Sequence, residues 1–210
     1  MDGHLAAHGG PGLAGFALAA ALWLGMVVVM MTPTVLPWVR AYATLAAPTP
    51  AARTWRHAAP FVAGYFALWT LYSVGMAALQ VLLTQAGMLV DNRLATHAGA
   101  VVLLAAGAYQ FAPLKAACLT HCRNPLTYFL TRWKGGPASG VRLGMAHGWY
   151  CLGCCWVLML TALAMGAMNP WWMAALTVVT AAEQMASAGV WLGRLFGAGL
   201  VALAVWRLAV

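Results

Sequence analysis

Long apolar segments without a formal charge constrain this chain more than any other feature. No Asp, Glu, Lys or Arg occurs between Leu13 and Met31, between Ala58 and Leu83, or between Leu94 and Phe111. A membrane-spanning helix needs about 20 such residues. Across the whole sequence 64% of residues are hydrophobic and 7% charged, where soluble domains carry roughly a quarter charged. Mean hydropathy is +0.82. A soluble globule of 210 residues could not hide that much apolar surface, whereas lipid can solvate it.

The expected fold is therefore all-α, a polytopic transmembrane helix bundle of about six spans forming a single membrane domain over residues 1–210. The spans are read at Leu13–Met31, Ala58–Leu83, Leu94–Phe111, Gly140–Met168, Trp171–Met185 and Val190–Leu208. Pro33 and Pro37 are expected to close the first, because proline cannot continue the hydrogen bonding of a helix interior. The stretch Leu114–Pro137 is too polar to span and suits an amphipathic helix on the membrane surface.

The net charge of +8 does not signal nucleic-acid binding, since the basic residues are scattered through loops without a stripe or motif. They instead divide by side. Arg40, Arg53, Arg56, Lys115, Arg123, Arg132, Lys134 and Arg194 fall on one side and Arg93 and Arg207 on the other. The positive-inside rule then puts both termini outside the cytoplasm. The start Met1-Asp2-Gly3-His4 lacks the basic region of a cleaved signal.

The five cysteines are confined to two windows, Cys118-Leu119-Thr120-His121-Cys122 and Cys151-Leu152-Gly153-Cys154-Cys155. On a helix, positions i, i+3 and i+4 share a face. Cys151, Cys154 and Cys155 therefore cluster, with His147 one turn before and Met159 one turn after. Cys118 and Cys122 also share a face, with His121 beside them. Both windows lie on the same expected side of the membrane, so they can converge on a metal through four or five sulfurs and up to two imidazoles. Thiolate and thioether donors suit Cu(I), zinc and iron–sulfur centres, and imidazole suits zinc, copper and iron. Small-residue packing and structural disulfides are the alternatives, the latter disfavoured on a reducing cytoplasmic side.

Other groups are more ambiguous. Met26, Met30 and Met31 read as core packing, with a soft-metal route as the alternative. Glu183 is either a functional acid in the membrane or a helix end at the surface, with its carboxylate in water or paired with Arg194. Arg123 either offers a cation to offset thiolate charge on Cys122 or is one more cytoplasmic anchor. His4 and His8 fall in an N-terminal segment of a kind that usually carries such residues without a role. With three acids in the chain, general acid–base catalysis has few candidates, and no catalytic constellation stands out.

The run Ala106-Gly107-Ala108-Tyr109-Gln110-Phe111-Ala112-Pro113-Leu114-Lys115, the Cys118-xxx-Cys122-Arg123-Asn124-Pro125-Leu126 that follows, and Gly144-xx-His147-Gly148-xx-Cys151-Leu152-Gly153-Cys154-Cys155-Trp156 resemble the bacterial DUF2182 family of integral membrane proteins catalogued as metal-binding. The resemblance extends through Met168-Asn169 and Glu183. It implies a multi-pass protein of the bacterial inner membrane whose metal-binding residues are Cys118, Cys122, His147, Cys151, Cys154 and Cys155. Where the family pattern places Lys after the acid, this chain has Gln184, which argues against a Glu–Lys pair. The expected function is holding, relaying or inserting a soft metal, copper before zinc or iron. An accessory or assembly subunit of a larger membrane complex is the alternative, favoured by the eleven tryptophans. A membrane thiol or metal oxidoreductase is a second. The expected partners are the lipid bilayer and such a complex, without nucleic acid.

Overall fold

The structure, a computed structural model, describes residues 12–47, 49, 55–90, 93–134, 136–166 and 169–209. His4, His8, Pro48, Pro50, Arg53, Asp91, Asn92 and Met168 lie outside them. The described residues form eight helices and one two-stranded hairpin. The helices are α1 Leu13–Ala46, α2 Trp55–Gln85, α3 Thr96–Tyr109, α4 Pro113–Cys122, α5 Pro125–Arg132, α6 Pro137–Met165, α7 Pro170–Met185 and α8 Gly189–Ala209. Strands β1 (Leu89–Val90) and β2 (Arg93–Leu94) pair antiparallel between α2 and α3.

Four helices are long and apolar enough to cross a membrane: α1, α2, α6 and α8. A fifth candidate is the pair α3 and α4, bent by 65°. At 14 residues α3 covers about 21 Å, short of a hydrocarbon core of about 30 Å. It breaks at Gln110–Ala112, and Pro113 begins α4 at a first-turn position where its missing N–H costs nothing. The expected fifth span appears as α7, whose 16 residues reach about 24 Å. The expected surface helix over Leu114–Pro137 resolves into α4 and α5.

The expected stop at Pro33 and Pro37 is overturned. Both lie inside α1, which continues to Ala46 and carries Arg40 on its last turns. Thr32 and Thr34 flank Pro33 and donate back to the carbonyls of Val28 and Met31. The carbonyls that the two prolines free are those of Val29 and Pro33, and apolar helices tolerate such breaks where neighbouring helices pack against them.

The apolar window of α6 is 61% buried, against 28% in the other three long helices, so α6 is the axis of the bundle. Its N-terminal half touches α2 backbone to backbone. A Cβ at Gly144 would lie 2.0 Å from the Phe61 carbonyl oxygen, and one at Gly64 would lie 2.1 Å from that of Val141. A second small-residue stripe, Gly189, Gly193 and Gly197, seats α8 on α7 and α3. Large apolar side chains meanwhile face outwards on the long helices. Val29, Leu71, Trp149 and Leu195 are each at least 66% exposed, the arrangement lipid would cover.

The connections sort the chain's basic residues to two ends. At one, Arg207 donates to the Ala164 carbonyl at 3.2 Å, and the Arg93 side chain lies beside Gly166. At the other, Arg123 donates to the Ala186 carbonyl at 2.7 Å, beyond the end of α7. Helices α4 and α7 both terminate at this second end, against α6.

Candidate metal centre

Two helices bring three sulfurs to one place. Cys122 is the last residue of α4, while Cys151 and Cys154 lie one turn apart on α6. Their Sγ atoms all lie within 4.8 Å of one another, and each residue is at most 3% exposed. The i, i+3 spacing on α6 supplies two of the donors. The third arrives because α4 breaks away from α3 at Pro113 and packs along α6.

The other sequence candidates take different positions around this trio. Cys155 is buried, but its Sγ is turned back to the Cys151 carbonyl at 2.9 Å. Cys154 makes the same kind of contact at 3.1 Å while remaining in the trio. Cys118, half-buried, lies outside it against Gly153, where an added Cβ would be 2.8 Å from its Sγ. It lines an apolar groove with Tyr72, Tyr109, Trp149 and Trp156. All five cysteines are free thiols, so the disulfide alternative is not realised.

His147 sits on α6 one turn before Cys151, 1% exposed and stacked on Trp38 with centroids 3.7 Å apart. Neither of its ring nitrogens has a hydrogen-bond partner. Leaving a buried polar atom unpaired costs about 1–3 kcal/mol, and such an orphan in a native interior calls for an explanation. His121, by contrast, is exposed, stacked on Tyr150 at 4.2 Å, with Nδ1 bonded to its own helix at Ala117.

Several residues around the trio were not placed there by the sequence. Met31 Sδ lies 3.9 Å from Cys151 Sγ, so at least one of the methionines read as packing belongs to the sulfur cluster. The Tyr65 hydroxyl is 3.2 Å from Cys151 Sγ. The Gln184 amide nitrogen, at the end of α7, is 3.8 Å from both Cys151 Sγ and Cys154 Sγ. Trp38 Nε1 donates to the Cys122 carbonyl at 3.1 Å, holding the end of α4 in place. Tyr65 lies in a plain apolar run, and nothing in its spacing marks it. Gln184 was visible only as a departure from a motif.

For Glu183 and Arg123 one of the two open readings falls away. Glu183 is not a solvated helix end paired with Arg194. It is 2% exposed and bonded through both carboxylate oxygens to Lys115 Nζ at 2.8 Å. The Glu–Lys pair that Gln184 argued against does form, with a lysine contributed by α4 instead of the next residue. Arg123 does not face Cys122, because its guanidinium caps the carbonyls of Ala186 and Ser187. The carbonyls at the end of α7 lack helical partners, which makes them better acceptors than a thiol.

The donor set is chemically selective. Three buried thiols with a thioether alongside favour a soft ion, and three thiolate donors suit Cu(I). Tyr65 and Gln184 are placed to donate to thiolate sulfur, the outer-shell role that tunes a metal site. A family model described as "PpoB2: Copper chaperone" matches residues 20–207, nearly the whole chain. No curated protein and no solved structure matches it. The copper family and the sulfur cluster together support copper as the metal.

Proposed function

Because the chain belongs to the PpoB2 copper chaperone family, we propose that it holds Cu(I) inside a membrane-embedded helix bundle and passes it on to an acceptor protein. The observation that carries this reading is the buried trio Cys122, Cys151 and Cys154. A chaperone needs a site that binds copper firmly, protects it from water and releases it to another set of thiols. A closed sulfur pocket meets the first two needs. Three thiolates around one Cu(I) would leave excess negative charge in a low-dielectric interior, which is costly. Hydrogen bonds from Tyr65 and Gln184 offset part of that cost, and metal binding itself expels thiol protons.

Release requires a path. Cys118 is one helical turn from Cys122 and reaches the groove beside Gly153. In this reading it is the exchange sulfur, contacting the copper donor or acceptor first and handing the ion to Cys122 by ligand exchange. Cys155 and His147, one turn to either side on α6, are reserve donors during the transfer. The bilayer partnership rests on the four apolar spans, and the bacterial inner membrane on the family resemblance.

The test is anaerobic copper analysis of the full chain in detergent after competition with a Cu(I) chelator. The wild type should retain close to one copper per chain, and the Cys122→Ser/Cys151→Ser/Cys154→Ser variant none. Cys118→Ser should keep the stoichiometry but slow loading. Full retention in the triple variant would refute the site.

A further inference from the structure

A second built feature lies outside the sulfur cluster. A cavity of about 430 Å³ opens where the α3–α4 bend meets the end of α7 and the start of α8. Its inner wall is the buried Lys115–Glu183 pair with Gln110, and its mouth carries Arg123 and Arg194. Lys115 Nζ also donates to Gln110 Oε1. An ammonium can only donate, so the amide oxygen must face it. That fixes the Gln110 NH₂ as the free end. Its Nε2 is buried without a partner, in a residue 7% exposed.

The charges do not cancel. Glu183 is matched by Lys115, which leaves the two guanidinium groups uncompensated at the cavity. Arg194 has its guanidinium over the Trp191 ring, 5.5 Å from the centroid, and remains exposed. Ala112 and Val190, which also line the cavity, place the first turns of α4 and α8 against it. Both are positive dipole ends with N–H groups that lack helical partners. Two N-termini, the Arg194 guanidinium and an unpaired amide donor call for an acceptor, and Arg123, whose guanidinium already caps the Ala186 and Ser187 carbonyls, adds a second positive charge. Phosphate oxygens meet every element of that demand, and arginine binds them with two parallel hydrogen bonds.

We propose that this cavity binds a phosphate group, carried by an anionic lipid headgroup or by a soluble phosphate. Its place at the end of the bundle where Arg123 caps α7 suits either source. The site is separate from the copper reading and stands without it.

The experiment uses the full chain and two probes. Inorganic phosphate is titrated calorimetrically into the detergent-solubilised protein. In parallel, nanodiscs of phosphatidylcholine with or without phosphatidylglycerol are compared by native mass spectrometry for retained lipid. Each arm is repeated with Arg194→Glu and Arg194→Gln, which alter an exposed side chain, and melting curves check that both variants fold. Saturable phosphate binding, roughly tenfold weaker in Arg194→Glu, identifies a soluble source. Selective retention of phosphatidylglycerol, lost in Arg194→Glu, identifies a lipid source. Binding of neither probe, or binding equally strong in Arg194→Glu, overturns the proposal.

Discussion

At the scale of single residues, the account turns on what surrounds three sulfurs. Tyr65 and Gln184 meet the Cys151 sulfur with a hydroxyl and an amide nitrogen, and neither residue is itself one of the three sulfurs. Outer-shell partners of this kind typically contribute about 10–100-fold to metal affinity. Tyr65→Phe and Gln184→Leu should therefore each weaken copper retention by roughly that factor, measured by chelator competition, with stoichiometry unchanged. Unchanged affinity in both would mean that the sulfurs hold the ion unaided. The two cysteine windows were legible because soft donors at i, i+3 and i+4 have few other uses in so concentrated a form. Tyr65 was not, and Met31 read first as packing, with the soft-metal route only its alternative. Each reaches the site from another helix, across a distance of sequence that periodicity does not measure.

At the scale of elements, the broken helices carry the design. A continuous helix from Thr96 onward would carry Cys122 past the cluster, whereas the bend at Pro113 lets α4 end against α6. The Lys115–Glu183 pair ties α4 to α7 across that break. Removing one partner leaves a buried charge, so Lys115→Met should destabilise the fold by about 3–5 kcal/mol, while Lys115→Met/Glu183→Met should cost much less. Thermal melting in detergent distinguishes the two, and equal losses would contradict the pairing. The interface of α2 and α6 makes a companion prediction. Gly144→Leu has no room against the Phe61 carbonyl and should lower the melting temperature strongly, whereas Gly25→Leu, with open space around it, should not. The end of α1 escaped sequence reasoning for a related cause. Proline stops helices in water, but here the packing of Trp38 and Tyr42 holds the helix together past Pro33 and Pro37.

At the scale of the whole molecule, all-α architecture followed from apolar run length alone. The count of spans did not, because length in sequence and length of helix part company wherever a helix breaks. Of about six expected, four are full-length, one is the bent pair, and α7 is short. The molecule also separates four enclosed cysteines from one at a groove. Cys122, Cys151, Cys154 and Cys155 are buried, whereas Cys118 borders a groove. Brief alkylation followed by mass spectrometry should label Cys118 first and the other four slowly. Labelling of all five at one rate would remove the distinction between entry and storage.

Copper bound among Cys122, Cys151 and Cys154 would show itself in X-ray absorption at the copper edge of the Cu(I)-loaded full chain. The expected spectrum has sulfur alone around the metal, three sulfurs per copper, and is lost in the triple serine variant. A shell containing nitrogen or oxygen, or an all-sulfur shell that survives in that variant, would contradict it.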